Sequence, residues 1–120
     1  MKFNVDGLAR GKSGMAGVGG VLRYSRGKVL CMFSLHVGIQ DSNTAEIMAI
    51  EKACQLCIFN PMLEGREFDI VSDSKVAISW VYKEVFGNFK HVNFVYNIWD
   101  ILSCLEGTVV TTILELLTPL

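Results

Sequence analysis

Asp6, Glu46 and Asp73 are the residues in this 120-residue chain whose types and placement could do chemistry. Glu46 is the most informative. At about 100° per residue it falls between Ala53 and Cys57 on a helical wheel, inside the apolar face, so the packing that orders the helix carries its carboxylate inward. A buried charge without a partner costs several kcal/mol. Each of the three also has an ordinary structural reading. A first-turn glutamate complements the helix dipole and accepts from backbone N–H groups. Asp6-Gly7 can start a turn, and Asp73, between Ser72 and Ser74, can cap a following helix. The chemical reading needs all three together. If the strands ending at Asp6 and Asp73 are neighbours and the Glu46 helix packs across them, three carboxylates converge at one end of a sheet. At about 5 Å and an effective dielectric of about 20, each pair repels by roughly 3 kcal/mol. Such a cluster needs a cation, and hard oxygen ligands without His or Cys favour Mg²⁺ or Mn²⁺. Paired divalent ions in an acidic cleft are suited to in-line hydrolysis of phosphodiesters.

The elements that must position these groups can be read along the chain. Residues 2–6 alternate, with Phe3 and Val5 on one face and Lys2, Asn4 and Asp6 on the other, which is the period of a strand. Gly11 to Gly20 holds five glycines in ten residues, so a turn is expected there. Gly17–Tyr24 and Val29–Leu35 read as two more strands, joined at Ser25-Arg26-Gly27 into an antiparallel meander. Asp41-Ser42-Asn43-Thr44 supplies several N-cap candidates for a helix from Ala45 to Phe59, ended by Asn60-Pro61. That helix places Ile47, Ile50, Ala53, Cys54, Cys57 and Ile58 on one side and Glu51, Lys52 and Gln55 on the other. Glu67–Ser72 reads as a fourth strand, Ser74–Val85 and Val92–Leu105 as helices, and Thr108–Ile113 as a β-branched strand. The order β-β-β-α-β-α-α-β predicts an α/β domain spanning residues 1–120.

Composition narrows the classes. At 13.3 kDa the chain is one domain, and 51% hydrophobic residues, 19% charged residues and a mean hydropathy of +0.38 exclude disorder. No uncharged stretch approaches the ~18 apolar residues of a membrane span. The N-terminus lacks the apolar region of a secretory signal, which predicts an intracellular protein, with nucleus and cytoplasm both open. Cys31, Cys54, Cys57 and Cys104 are then expected to act as small hydrophobes. Cys54-x-x-Cys57 lacks a second pair, and His36 and His91 lack ligand spacing. The net charge of −1 is uneven: residues 1–28 carry +5 and residues 29–73 carry −5. A basic rim beside an acidic centre suits a nucleic-acid backbone approaching a metal site, and equally a solvated hairpin. The glycines fit neither dinucleotide nor P-loop patterns. Trp80, Tyr82, Phe86 and Phe89 suit either a core face or stacking on nucleic acid. Neither Ser34 with His36 nor Ser72 with Asp73 makes a recognisable nucleophile and base.

Four segments in order, Val5-Asp6-Gly7, Gly17-Val18-Gly19-Gly20-Val21-Leu22-Arg23, Asn43-Thr44-Ala45-Glu46 and Val71-Ser72-Asp73-Ser74, resemble the signatures of the type 1 ribonuclease H domain. The branch they resemble is found in plant genomes and retroelement-derived proteins. The resemblance runs from about Lys2 to Val110. It implies a ribonuclease H-like fold, a five-stranded mixed sheet flanked by helices, and cleavage of the RNA strand of an RNA–DNA hybrid using two divalent ions. Asp6, Glu46 and Asp73 match the first three catalytic, metal-binding carboxylates. Asn43, together with Lys12 and Ser13, is a candidate contact to the hybrid, Asn43 beside the minor groove where 2′-hydroxyls distinguish RNA from DNA. Helix capping is the other reading of Asn43. The expected partner is nucleic acid, with no membrane and no obligate protein partner, and the expected state is a monomer.

The chain departs from the family after its last strand, where the family carries a fourth carboxylate followed by a final helix. Here Ile113-Leu114-Glu115-Leu116-Leu117-Thr118-Pro119-Leu120 contains no Asp, and Glu115 falls too early in the pattern to replace it. With one choice of codons, Thr112 to Leu120 read two bases further on gives Tyr-Phe-Arg-Ala-Ala-Asn-Ser-Leu, close to the family segment. A frameshift or altered exon boundary near Thr111 or Thr112 would account for this, and the downstream coding sequence decides it. The expectation is a second metal position weakened and cleavage reduced or absent, with hybrid binding partly retained. The alternatives are a catalytically inactive nucleic-acid-binding remnant or truncated gene-model product, and a protein-interaction domain using the apolar tail.

Overall fold

The computed structural model describes residues 1–11, 14–24, 26–82, 92–105 and 107–112. The first strand, β1 (Lys2–Ala9), alternates as its sequence requires: Phe3, Val5 and Gly7 are buried while Lys2, Asp6 and Leu8 are exposed. β2 (Gly14–Arg23) and β3 (Val29–Gln40) follow, then α1 (Ser42–Phe59), β4 (Asp69–Ser72), α2 (Lys75–Tyr82), α3 (Val92–Cys104) and β5 (Val109–Thr112). The five strands form one mixed sheet in the order β3-β2-β1-β4-β5. β1, β2 and β3 pair antiparallel, whereas β1 with β4 and β4 with β5 are parallel. This is the α/β architecture expected from the order of elements.

The core lies between the sheet and α1. Phe3, Leu22, Ile47, Ile50, Phe68, Ile70 and Ile98 are all essentially inaccessible to solvent, and burying each side chain of this size contributes roughly 1.5–3 kcal/mol. Phe3 meets Phe33 edge to face at 5.7 Å between ring centroids. Gly20 makes room for that contact, since a Cβ there would strike the Phe33 ring. At the other edge the Tyr82 hydroxyl donates to the Val110 carbonyl at 2.6 Å and accepts from the Val110 N–H at 2.9 Å, fastening α2 to β5. The Tyr82 ring also meets Trp99 of α3 edge to face. Tyr82 therefore serves packing; Phe86 and Phe89 lie outside the described residues. Cys54 and Cys57 are buried on α1, and burial pushes both thiols up to about 12, as suits inert apolar packing.

The structure corrects the sequence reading in several places. Most of the glycine-rich stretch is not a turn. Gly14–Gly20 is strand, because Ala16, Val18, Gly20 and Leu22 make one buried face and both neighbouring strands satisfy its backbone. Only Gly11, at φ 69°, adopts a left-handed turn conformation there. β1 continues past Asp6 to Ala9, so Asp6 is within a strand and starts no turn. β3 extends beyond Leu35 to Gln40, across a register shift near Gly17. The polar side of α1, with Glu51, Lys52 and Gln55, is itself half-buried, because α3 packs on it and the Asn97 side-chain amide donates to Glu51 Oε2 at 3.2 Å. Burial outweighs that bond and raises the Glu51 carboxyl above its ordinary range.

Gly7 sets the distance between sheet and helix. A Cβ at this position would overlap the Ala45 carbonyl and the Glu46 backbone nitrogen, so α1 rests directly on the β1 backbone. Gly7→Ala should destabilise the protein by about 2–3 kcal/mol, the cost of overpacking against backbone that has nowhere to go. Denaturant unfolding checks this, and an unchanged midpoint would contradict it.

Candidate metal centre

The middle of one strand, the end of another and one helix build this site. Val5 is in parallel register with Ser72, so the residues that follow them, Asp6 and Asp73, come level on adjacent strands. Both are exposed. α1 begins beyond Asp41, whose side chain accepts from the Thr44 N–H at 2.7 Å as N-cap. Asn43 is thus not the cap; it is exposed in the first turn, three residues before Glu46 and on the same side of the helix. Glu46 lies in the second turn, where the contact of α1 with Gly7 presses it against β1, and it is 8% exposed. One carboxylate oxygen from each of Asp6, Glu46 and Asp73 lies within 4.8 Å of the others. No other group of three His, Cys, Asp or Glu among the described residues comes together in this way. Lys12 and Ser13 lie outside the described residues.

The ordinary readings of the three acids give way to other residues. Asp73 does not cap α2: Ser74 Oγ accepts from the Ala77 N–H at 3.1 Å and performs that task. Glu46 is too far along α1 to complement the helix dipole, and the first turn of α1 holds no acidic residue. Sequence inspection set Ser72 aside as a nucleophile, and the structure gives it a different place. Ser72 is completely buried, its hydroxyl donates to Glu46 Oε2 at 3.4 Å, and its oxygen accepts from the Ser74 N–H at 3.1 Å. The signal available beforehand was weak: a serine ending a strand beside a candidate ligand.

Electrostatics at the site are dominated by burial and like charge. Burial is the largest influence on Glu46 and raises its carboxyl from 4.5 to about 8; a hydrogen bond with Asp6 and the charges of Asp6 and Asp73 push the same way. The Gly7 N–H opposes them by bonding to the carboxylate. No positive charge acts on Glu46 within the described residues. The donor set is therefore three carboxylates, hard oxygens in excess of any cationic side chain, and it fits a hard divalent cation better than a soft one. Such an ion would convert mutual repulsion into shared attraction and favour the ionised form of Glu46.

Comparison with known proteins bears on the family and the fold. Residues 4–114 match the family described as reverse transcriptase-like. No curated protein matches the chain. Among solved structures, RNase H1 from the halophilic archaeon Halobacterium salinarum NRC-1 is similar with a TM-score of 0.81 at 19% identity, covering 93% of this chain and 83% of that one. LC11-RNase H1, isolated from compost by a metagenomic approach and solved in complex with an RNA/DNA hybrid, gives a TM-score of 0.81 at 25% identity, with 93% and 83% covered. The foamy viral protease–reverse transcriptase, also in complex with an RNA/DNA hybrid, gives 0.78 at 23% identity over 92% of this chain and 17% of that one. By family and structure the chain resembles ribonuclease H enzymes. With sheet order, acidic cluster and a match across residues 4–114 in agreement, this chain belongs to the reverse transcriptase-like family and has the ribonuclease H fold.

Proposed function

We propose that the chain binds RNA–DNA hybrids and hydrolyses their RNA strand with Mg²⁺ or Mn²⁺, using Asp6, Glu46 and Asp73 as ligands and catalytic residues, at a reduced rate because residues 113–120 hold no Asp to serve as the family's fourth carboxylate. The observation that carries this reading is the meeting of the three carboxylate oxygens within 4.8 Å of one another. The hybrid-bound state of LC11-RNase H1, a similar fold at 25% identity, supports the choice of substrate. Bound at these carboxylates, a divalent ion supplies Lewis-acid activation of water and charge neutralisation at the phosphate. The chain's own residues do the rest. Asp6 and Asp73, exposed at the rim, face the incoming strand, and buried Glu46 fixes the inner wall. Asn43, exposed three residues before Glu46, is assigned to minor-groove contact with 2′-hydroxyls, with Lys12 and Ser13 as further contacts to the hybrid.

Labelled RNA–DNA hybrid incubated with Mg²⁺ or Mn²⁺ tests the reading. We expect cleavage confined to the RNA strand, lost with chelator, and reduced by about a hundredfold or more in Asp73→Asn or Asp6→Asn, corresponding to several kcal/mol of transition-state stabilisation. Hybrid binding without cleavage under both ions would favour a non-catalytic binding domain, and cleavage that survives Asp73→Asn would contradict the assignment.

A second expectation follows from Glu46. The folded, metal-free protein holds the Glu46 proton up to about 8, whereas an ordinary glutamate releases it near 4.5, so unfolding between those pH values releases a proton. Stability of the metal-free protein should therefore fall as pH rises through this window. Glu46→Gln should remove this dependence, and excess Mg²⁺ should flatten it by favouring the ionised form. Thermal melts in chelator across the window check this; a wild-type midpoint no more pH-sensitive than that of Glu46→Gln would contradict it.

A further inference from the structure

We infer that Ser72 is the positioning residue for the metal centre: its hydroxyl holds the Glu46 carboxylate in the orientation that ligation requires. The inference rests on the metal-binding reading of Asp6, Glu46 and Asp73 and extends it to a residue that would touch neither ion nor substrate. Ser72 ends β4 with no solvent exposure, so its hydroxyl must be satisfied within the protein. It is satisfied in one direction along a short chain of groups. The Ser74 N–H donates to Ser72 Oγ at 3.1 Å, and Ser72 Oγ donates onward to Glu46 Oε2 at 3.4 Å. The oxygen thus accepts from the Ser74 N–H while its proton goes to the carboxylate. The Ser74 side chain is occupied in capping α2, which fixes the backbone from which the first bond comes.

The contact at Oε2 is long for an O–H···O bond, so its worth lies in orientation more than in stability. A carboxylate on a helix can rotate about its terminal torsion, and that torsion is broad and roughly two-fold. A donor fixed at one oxygen removes that freedom and leaves the other oxygen for the ion. Ser72 and Asp73 are consecutive, so the end of β4 supplies the buried hydroxyl and the next residue the exposed ligand, the hydroxyl orienting the partner from α1.

Direct Mn²⁺ binding to the full chain, measured by electron paramagnetic resonance of free ion or by calorimetry, tests this without relying on activity. Wild type, Ser72→Ala, Ser72→Thr and Asp73→Asn are compared, with the melting temperature of each recorded in chelator. Ser72→Ala should weaken Mn²⁺ binding about tenfold while Ser72→Thr, which keeps the hydroxyl, stays within about twofold of wild type, the range typical of groups that orient metal ligands. Mn²⁺ affinity unchanged in Ser72→Ala would overturn the inference. So would equal weakening in Ala and Thr variants in step with their melting temperatures, since that marks a structural role only. If wild type shows no Mn²⁺ binding that Asp73→Asn abolishes, the metal-binding reading itself fails and the inference with it, a result distinct from the other two.

Discussion

The structure depends on an electrostatic constraint: three carboxylate oxygens are held within 4.8 Å of one another, one of them on a buried side chain, with no positive charge acting on that side chain among the described residues. Hydrophobic packing enforces the arrangement. Ile47, Ile50, Ala53 and Cys54 of α1 are completely buried against the sheet, and Glu46 shares the face they define. The helix cannot dock its apolar stripe without bringing the carboxylate in. The raised Glu46 pKa expresses the same opposition, with packing free energy setting the position and desolvation and repulsion resisting the charge. Carboxyl groups shifted in this way cluster at functional sites.

Two backbone features convert this into a defined geometry. Parallel register between β1 and β4 brings the residues after Val5 and Ser72 level, and α1 covers the sheet on which they pair. Gly7 then allows α1 to touch the strand backbone, so Glu46 meets Asp6 at side-chain range. Neither feature is costly in sequence, since one glycine and the alternation of Phe3 and Val5 suffice. Ser72 and Ser74 complete the corner with hydrogen bonds among β4, α2 and Glu46.

Glu46 was legible in the sequence because a charge on an apolar helical face contradicts the pattern around it. Asp6 and Asp73 were legible only as members of a set, since each alone passes for a turn or cap residue. The strands were legible where period-two alternation was strong, as in Phe3 and Val5. The start of β2, Gly14 to Ala16, was misread because a local turn signal from glycine competed with a buried alternation whose support comes from β1 and β3 on either side. The half-burial of Glu51 and the orientation of Ser72 were beyond reach for the same reason: each is decided by a partner distant in sequence, Asn97 in one case and Glu46 in the other. Local preference locates elements, whereas tertiary pairing decides what a polar side chain faces.

The claim that the carboxylates of Asp6, Glu46 and Asp73 share a cation is tested most directly by anomalous diffraction from crystals of the chain grown with Mn²⁺. The account predicts at least one manganese peak at direct coordination distance from an oxygen of each of the three residues. Saturating Mn²⁺ with no peak in the cluster, or with Glu46 turned away from the ion, would contradict it.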